Sequence, residues 1–89
     1  MCTYEAYKKA KKMFAENGYL NRVDGACELP DKWLFFSRHD ENNIWEYGNC
    51  PISVDKQTGV PTWFHLFEAG TDHMKQYEES VVIPLPEEL

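Results

Sequence analysis

The sequence predicts an α+β fold, a single domain over residues 1–89 in which an N-terminal helix packs on an antiparallel β-sheet of about three to four strands, with a short second helix near the C-terminus. Near the N-terminus, Tyr7, Ala10 and Phe14 recur at helical spacing, which indicates an amphipathic helix. Over residues 51–55, apolar and polar side chains alternate, as is typical of a half-buried strand. Because a turn and a second extended run follow, these residues favour a β-hairpin.

The first helix is predicted to begin at Thr3, a residue type that caps helix N-termini, and to stop at Asn17-Gly18. Ala6 and Met13 flank its apolar stripe, and lysines and glutamates fill the remaining face. A lysine cluster can bind phosphates or a membrane surface. We prefer the commoner interpretation, a solvated helix face, because the rest of the chain is acidic.

The middle of the chain contains further strand patterns. The segment 23–29 is consistent with a short first strand interrupted by Asp24-Gly25, and Leu29-Pro30-Asp31 with a turn. The run 33–37 is apolar on both faces, so we expect it to be covered on both sides within the fold or on one side by a partner. An extended pattern resumes at 44–47 before a predicted bend.

The hairpin is the clearest structural prediction. Asp55 opens its turn and Gly59 closes it, because aspartate can bond its own backbone and glycine tolerates positive φ. The second strand is predicted over residues 60–67, with Pro61 at a strand end or on an edge since proline donates no amide hydrogen.

The C-terminal part is predicted to form the second helix. Thr71 or Asp72 is the candidate cap, residues 73–79 form the helix, and Met74 and Tyr77 point inward. The β-branched residues that follow, 80–83, are consistent with a last edge strand.

Charge is distributed unevenly. Residues 1–12 carry four lysines and one glutamate, or +3, and residues 13–89 carry five basic and fourteen acidic residues, or −9, which sum to the net charge of −6. An acidic body repels nucleic-acid phosphates and favours a basic protein partner. The alternative is that the acidic residues only keep a small domain soluble.

Cellular location is predicted from the cysteines and the apolar runs. Cys2, Cys27 and Cys50 are an odd number at wide spacing, which favours reduced thiols in a reducing compartment. The N-terminus has no apolar stretch typical of a secretion signal, and no apolar run approaches the ~20 residues of a membrane span. We therefore expect a cytoplasmic protein that binds no membrane.

We expect neither catalytic residues nor a cofactor or metal site, and hence no enzyme. His39, His65 and His73 form no closely spaced ligand pair with each other or with a cysteine, and His65 is interpreted as a strand histidine. Among fifteen acidic residues, no carboxylate pair stands out for acid–base catalysis.

Aromatic residues are the more informative feature. Six lie on or beside predicted strands: Trp33, Phe35, Trp45, Tyr47, Trp63 and Phe67. They are too many to face one small helix, so we expect some of them in a groove or an interface. The alternatives are a second core layer closed by helix 73–79, or a homodimer that buries the remaining face.

The chain resembles the YrhB-like family of small bacterial immunity proteins. The resemblance rests on the N-terminal helix, the Trp33-x-Phe35 strand, and the G-N-x-P and V-D-K-x-T-G block of residues 48–59. It extends over nearly the whole chain. The block residues are interpreted as architectural: Gly48, Asn49, Pro51, Asp55, Lys56, Thr58 and Gly59. The run 63–67 is more aromatic here than is usual in the family.

The resemblance implies a binding protein that neutralises a cognate toxin of a polymorphic toxin system. If that toxin has a basic surface, carboxylates and aromatics are the expected contacts. The candidate contacts are Glu28, Asp31, Trp33, Asp40, Glu41, Trp45 and Glu46. A chaperone-like or scaffolding protein that uses exposed aromatics is the alternative function.

Overall fold

A computed structural model describes residues 2–20, 22–38, 50–66 and 68–85. Its strands form one antiparallel sheet in the order β4-β3-β2-β1-β5. The elements are helix α1 (Thr3–Glu16), strands β1 (Gly25–Glu28), β2 (Lys32–Phe36), β3 (Ile52–Asp55) and β4 (Pro61–Trp63), helix α2 (His73–Glu79) and strand β5 (Val81–Ile83). The predicted α+β class is confirmed. The sheet has five strands rather than three to four, because both of the uncertain segments, β1 and β5, pair with each other.

Helix α1 packs its predicted apolar stripe on the sheet. The stripe residues Ala6, Tyr7, Ala10 and Phe14 are all buried. The N-cap is Cys2 rather than the predicted Thr3, and no side chain makes a capping hydrogen bond there. The stability of this helix therefore comes from its packed face more than from its N-terminus.

The C-terminus of α1 ends as predicted. Gly18 takes a φ of +84°, and the Tyr19 amide donates to the Phe14 carbonyl over 3.0 Å. This is the hydrogen bond of a Schellman motif, and the apolar contact that usually accompanies it is present as well. The Phe14 and Tyr19 rings lie 4.9 Å apart, centroid to centroid.

The sheet face under α1 carries the main core. Side chains from alternate strand positions meet the helix there: Ala26, Trp33, Phe35, Ile52 and Val54 are buried, with Trp63 and Ile83 at the margin. Phe35 and Ile52 are completely inaccessible to solvent. The alternation predicted for residues 51–55 directs Ile52 and Val54 to the helix, as expected. The strand is not half-buried, however, because Ser53 on the opposite face is buried as well.

The opposite face carries a second, smaller core. Cys27, Leu29, Leu34 and Phe64 are buried there, with Phe36, Leu66 and Tyr77 packed against them. The Phe36 and Tyr77 rings meet edge to face at 5.6 Å, so α2 helps to close this layer. Strand β2 is therefore covered on both sides within the fold, which was the first of the two expectations for an all-apolar strand.

The hairpin turn is confirmed in detail. Asp55 accepts hydrogen bonds from the amides of Gln57 (2.7 Å) and Thr58 (2.8 Å), and the Gly59 amide donates to the Asp55 carbonyl at 2.8 Å. Gly59 has a φ of +74°, a conformation that side chains other than glycine adopt at a cost. The bonds from Thr58 and then Gln57 hold the pKa of Asp55 below its usual value.

The second hairpin strand is much shorter than predicted. It spans Pro61–Trp63 rather than 60–67. The Phe64 amide still donates to the Pro51 carbonyl at 2.8 Å, and its side chain lies in the second core, where Phe64 is only 3% exposed. His65 consequently lies after the strand and not on it. Pro61 is on an edge strand, as predicted.

Helix α2 spans the predicted residues, begins after Asp72, and holds Met74 and Tyr77 half-buried. The predicted extended segment 44–47 and the bend at Gly48-Asn49 lie outside the described residues. Within the described ranges, neither helix has the length and apolar character that crossing a membrane requires.

Candidate functional site

The predicted contacts Glu28 and Asp31 lie together where β1 turns into β2. Glu28 is the last residue of β1 and pairs with Trp33, and the Leu29 amide donates to the Lys32 carbonyl across the turn at 2.8 Å. A tight turn of this kind keeps the two carboxylates at the same end of the sheet. We call Glu28, Asp31 and Lys56 the carboxylate corner.

Lys56, in the hairpin turn that follows β3, contacts the other two residues of the corner. Its Nζ lies 2.5 Å from Glu28 Oε2, and its amide donates to the Asp31 carbonyl at 3.0 Å. The same Nζ lies 5.3 Å from the centroid of the Trp33 ring, within the range of a cation–π contact. Lys56 was interpreted from the sequence as a motif residue of the hairpin, but it also positions a predicted contact residue.

The carboxylates of the corner remain accessible despite these lysines. The Glu28 and Asp31 side chains are 44% and 70% exposed, and Lys32 Nζ stands off Asp31 at 3.7 Å. Ion pairs this exposed contribute little to stability. Both carboxylates can therefore exchange a lysine of their own chain for a basic group of a partner at small cost.

Trp33 does not belong to this accessible set. It is 5% exposed and forms part of the main core, because its strand position directs it under α1. Its indole Nε1 is buried and has no hydrogen-bond acceptor among the described residues. The prediction that Trp33 contacts a partner is therefore wrong for the chain in this conformation: the ring supports the corner from beneath.

The other aromatic residues that were expected at the surface are either at least half-buried or outside the described residues. Phe35 is fully buried and Trp63 is half-buried, so neither provides the exposed surface that was expected. Trp45, Tyr47 and Phe67 lie outside the described residues, as do the predicted contacts Asp40, Glu41 and Glu46.

The motif residues that the structure describes serve the hairpin. Pro51 and Gly59 are buried, and Asp55 and Thr58 build the turn. The turn is also joined to the first helix, because Lys9 Nζ donates to the Gly59 carbonyl at 3.0 Å. This agrees with their interpretation as architectural residues; Gly48 and Asn49 are outside the described ranges.

A cysteine–histidine contact was not predicted. Cys50 Sγ lies 3.7 Å from His65 Nδ1, and the Cys50 amide donates to the Tyr19 hydroxyl at 2.8 Å. Burial raises the pKa of the Cys50 thiol, which keeps the sulfur protonated and a weak nucleophile at neutral pH. No group of three or more metal-ligand side chains was found among the described residues.

The sheet edge at β5 is a second accessible surface that sequence reasoning missed. Val81 and Val82 are 66% and 80% exposed. The β-branched run over residues 80–83 predicted an edge strand, but no local signal showed that both of its faces would lie open.

The chain was compared with protein-family models, with curated proteins and with solved structures, and none of the three comparisons gave a match.

Proposed function

We propose that this chain is a non-enzymatic binding protein, an immunity-type inhibitor that neutralises a cognate bacterial toxin in the cytoplasm by covering a basic surface of it. The observation that supports it best is the carboxylate corner, in which Glu28 and Asp31 are accessible where β1 turns into β2. The resemblance of the 48–59 block to YrhB-like immunity proteins supplies the biological setting.

The charge of the chain gives this proposal a physical basis. Beyond the first twelve residues the net charge is −9 (five basic and fourteen acidic residues). Such a body attracts a cationic groove and speeds association, while carboxylates are suited to occupy positions that a nucleic acid's phosphates take in a nuclease-type toxin. The same charge repels nucleic acids and anionic membranes, so neither is a proposed partner.

The alternative functions differ in what they need from the surface. A chaperone-like or scaffolding protein requires exposed aromatics. On the described strands Trp33 is buried and Trp63 is half-buried, which leaves Tyr4 of α1, 49% exposed, as an isolated exposed ring. A structural homodimer would have to bring together two chains that each carry a net charge of −6. The inhibitor agrees better with both observations.

The first test is co-expression of the chain with toxins encoded beside its gene. We expect one toxin to lose its toxicity and to co-purify with the chain in a stoichiometric complex. Absence of both rescue and complex with every neighbouring toxin would refute the inhibitor.

Charge variants then test the corner itself. In E28Q/D31N two accessible carboxylates are neutralised, and the matched control E5Q/E16Q makes the same change in net charge on exposed residues of α1. We expect the corner variant to associate several-fold more slowly at low salt, with a smaller salt dependence, and the control to stay near the parent. Equal effects from the two variants would show that only net charge matters.

A further inference from the structure

Among the described residues, no strand pairs with the outer edge of β5. In an antiparallel ladder, alternate residues direct their N–H and C=O to opposite sides. The Leu29–Lys32 hydrogen bond fixes this alternation on β1. The backbone N–H and C=O groups of Ala26 and Glu28 are therefore directed toward β5. Their partners on β5 are Ile83 and Val81, which leaves Val82 with its amide and carbonyl directed away from the sheet.

The opposite edge is chemically different. On β4, the bonds of the Asp55 amide to Val60 and of the Phe64 amide to Pro51 leave Pro61 and Trp63 facing outward. Pro61 has no amide hydrogen, which blunts this edge as proline does on natural edge strands. Trp63 keeps an outward amide there, as Val82 does on β5, so the two edges differ chiefly in their side chains: Trp63 is half-buried, whereas Val81 and Val82 are largely exposed.

Apolar and acidic side chains flank the open edge. Val81 and Val82 point to opposite faces of the sheet and are both largely exposed. Glu28 of the carboxylate corner is directly across from Val81, and Glu78 and Glu79 at the end of α2 are exposed. The edge therefore combines an apolar centre with an acidic border, the usual layout of an interface.

We propose that the β5 edge accepts an extended segment of a protein partner in which basic residues accompany apolar ones, adding a further strand to the sheet. This proposal rests on the proposed function and names the docking element for the basic toxin. Strand addition supplies affinity through backbone hydrogen bonds and selectivity through alternate side chains. The acidic border of Glu28, Glu78 and Glu79 is what selects a basic segment.

A second copy of the chain is a poorer occupant of the edge. Antiparallel pairing of two β5 strands about Val82 would form a single pair of hydrogen bonds, because Pro84 has no amide hydrogen and the Ser80 amide already donates to the Tyr77 carbonyl at 3.1 Å. It would also bring two acidic chains together. A basic partner segment gains attraction where a second copy meets repulsion.

The test uses two blocked synthetic peptides of alternating valine and charged residues, one with lysine and one with glutamate. Each is titrated into the isotopically labelled full chain, and backbone amide shifts are recorded by NMR. We expect the lysine peptide to shift the amides of β5 and to slow hydrogen exchange of the Val82 amide, and the glutamate peptide to do neither.

Valine variants make the test specific. V81T/V82T keeps β-branched side chains but removes apolar surface, and V60T makes one such change just before β4, where Val60 is 53% exposed. We expect V81T/V82T to weaken lysine-peptide binding by about tenfold and V60T to leave it unchanged. Shifts confined to α1 or β4, equal response to both peptides, or no response would overturn the proposal.

Three further outcomes separate this proposal from others. If the apparent molecular mass doubles as the protein concentration is raised, and the β5 amides shift without peptide, the occupant of the edge is a second copy and the proposal is wrong. If a toxin is neutralised fully by V81T/V82T, the edge proposal fails while the inhibitor stands. If the lysine peptide binds at β5 and no toxin is neutralised, the inhibitor fails while the edge proposal stands.

Discussion

Replacing Trp33 with alanine tests whether this ring belongs to the core or is available to a partner. The side chain is 5% exposed, and a buried aromatic removes about 150–250 Å² from water. At about 25 cal/mol per Å², that burial is worth roughly 4–6 kcal/mol, and truncation of such residues to alanine typically costs about 3–5 kcal/mol. We expect W33A to lose about 3–5 kcal/mol of unfolding free energy.

That loss is large for a chain of 89 residues. At roughly 0.05–0.15 kcal/mol per residue, the whole domain is stable by about 4–13 kcal/mol. The measurement is urea unfolding followed by circular dichroism, with the midpoint and the slope fitted separately. W33F keeps an aromatic ring, although a smaller one, and removes the buried indole N–H that has no acceptor among the described residues. We expect W33F to lose less than half as much unfolding free energy as W33A.

The matched control is V82A, since Val82 is 80% exposed and exposed substitutions usually change stability by less than about 0.5 kcal/mol. A W33A variant that loses less than about 1 kcal/mol with an unchanged slope would refute the assignment of Trp33 to the core. The ring would then be free to act as a partner contact after all.

Three smaller predictions follow from local geometry. G18A should cost about 1–2 kcal/mol, because φ is +84° and a Cβ would meet open space, so that backbone strain alone is measured, as a fall in melting temperature. The Thr58 amide lowers the pKa of Asp55 in the folded chain. The ionised Asp55 carboxylate therefore stabilises the fold above its unfolded-state pKa of about 3.9, and this stabilisation is lost as the pH falls through its folded-state pKa. The urea midpoints of the parent and D55A should converge at low pH. The pKa of the Cys50 thiol is raised by burial, so at neutral pH an alkylating reagent should modify exposed Cys2 first, as timed mass spectrometry of the modified peptides would show.

Sequence patterns were sufficient wherever the determining contacts are local. The stripe of α1, its glycine stop and the Asp55–Gly59 turn each depend on residues a few positions apart, and all three were predicted correctly. The helix cap was misplaced by one residue because Thr3 makes no capping bond. Threonine is a preferred capping residue and cysteine is not, so the local sequence favoured Thr3 although the helix begins one residue earlier, after Cys2.

The second core could not be derived from local pattern. The extended pattern of residues 63–66 runs past the point where β4 ends, and the burial of Phe64 depends on Leu34 and Cys27, which lie on the same face of the sheet. The expected excess of aromatic surface arose from this omission. A core layer formed by residues thirty positions apart is visible only once the strand order is known.

The carboxylate corner was predicted only in part for the same reason. Glu28 and Asp31 are near each other in sequence, and their proximity could be expected. Lys56 is 28 positions from Glu28, and its approach depends on the register of β2 with β3. The local sequence around Lys56 does not indicate that this lysine will form an ion pair with Glu28 on another hairpin.

The distribution of these features indicates different roles for the two edge strands of the sheet, β4 and β5. At the β4 end, the turn of residues 55–59 is tied to α1 through Lys9, and Pro61 blunts the edge. At the β5 end, exposed valines and accessible carboxylates lie beside an open backbone amide. Substitution of Gly59 should therefore lower stability and affect neutralisation only through unfolding, whereas V81T/V82T should impair binding in a fully folded chain. A Gly59 variant that kept its unfolding midpoint and no longer neutralised a toxin would reverse this assignment, because the block of residues 48–59 would then itself be the binding surface.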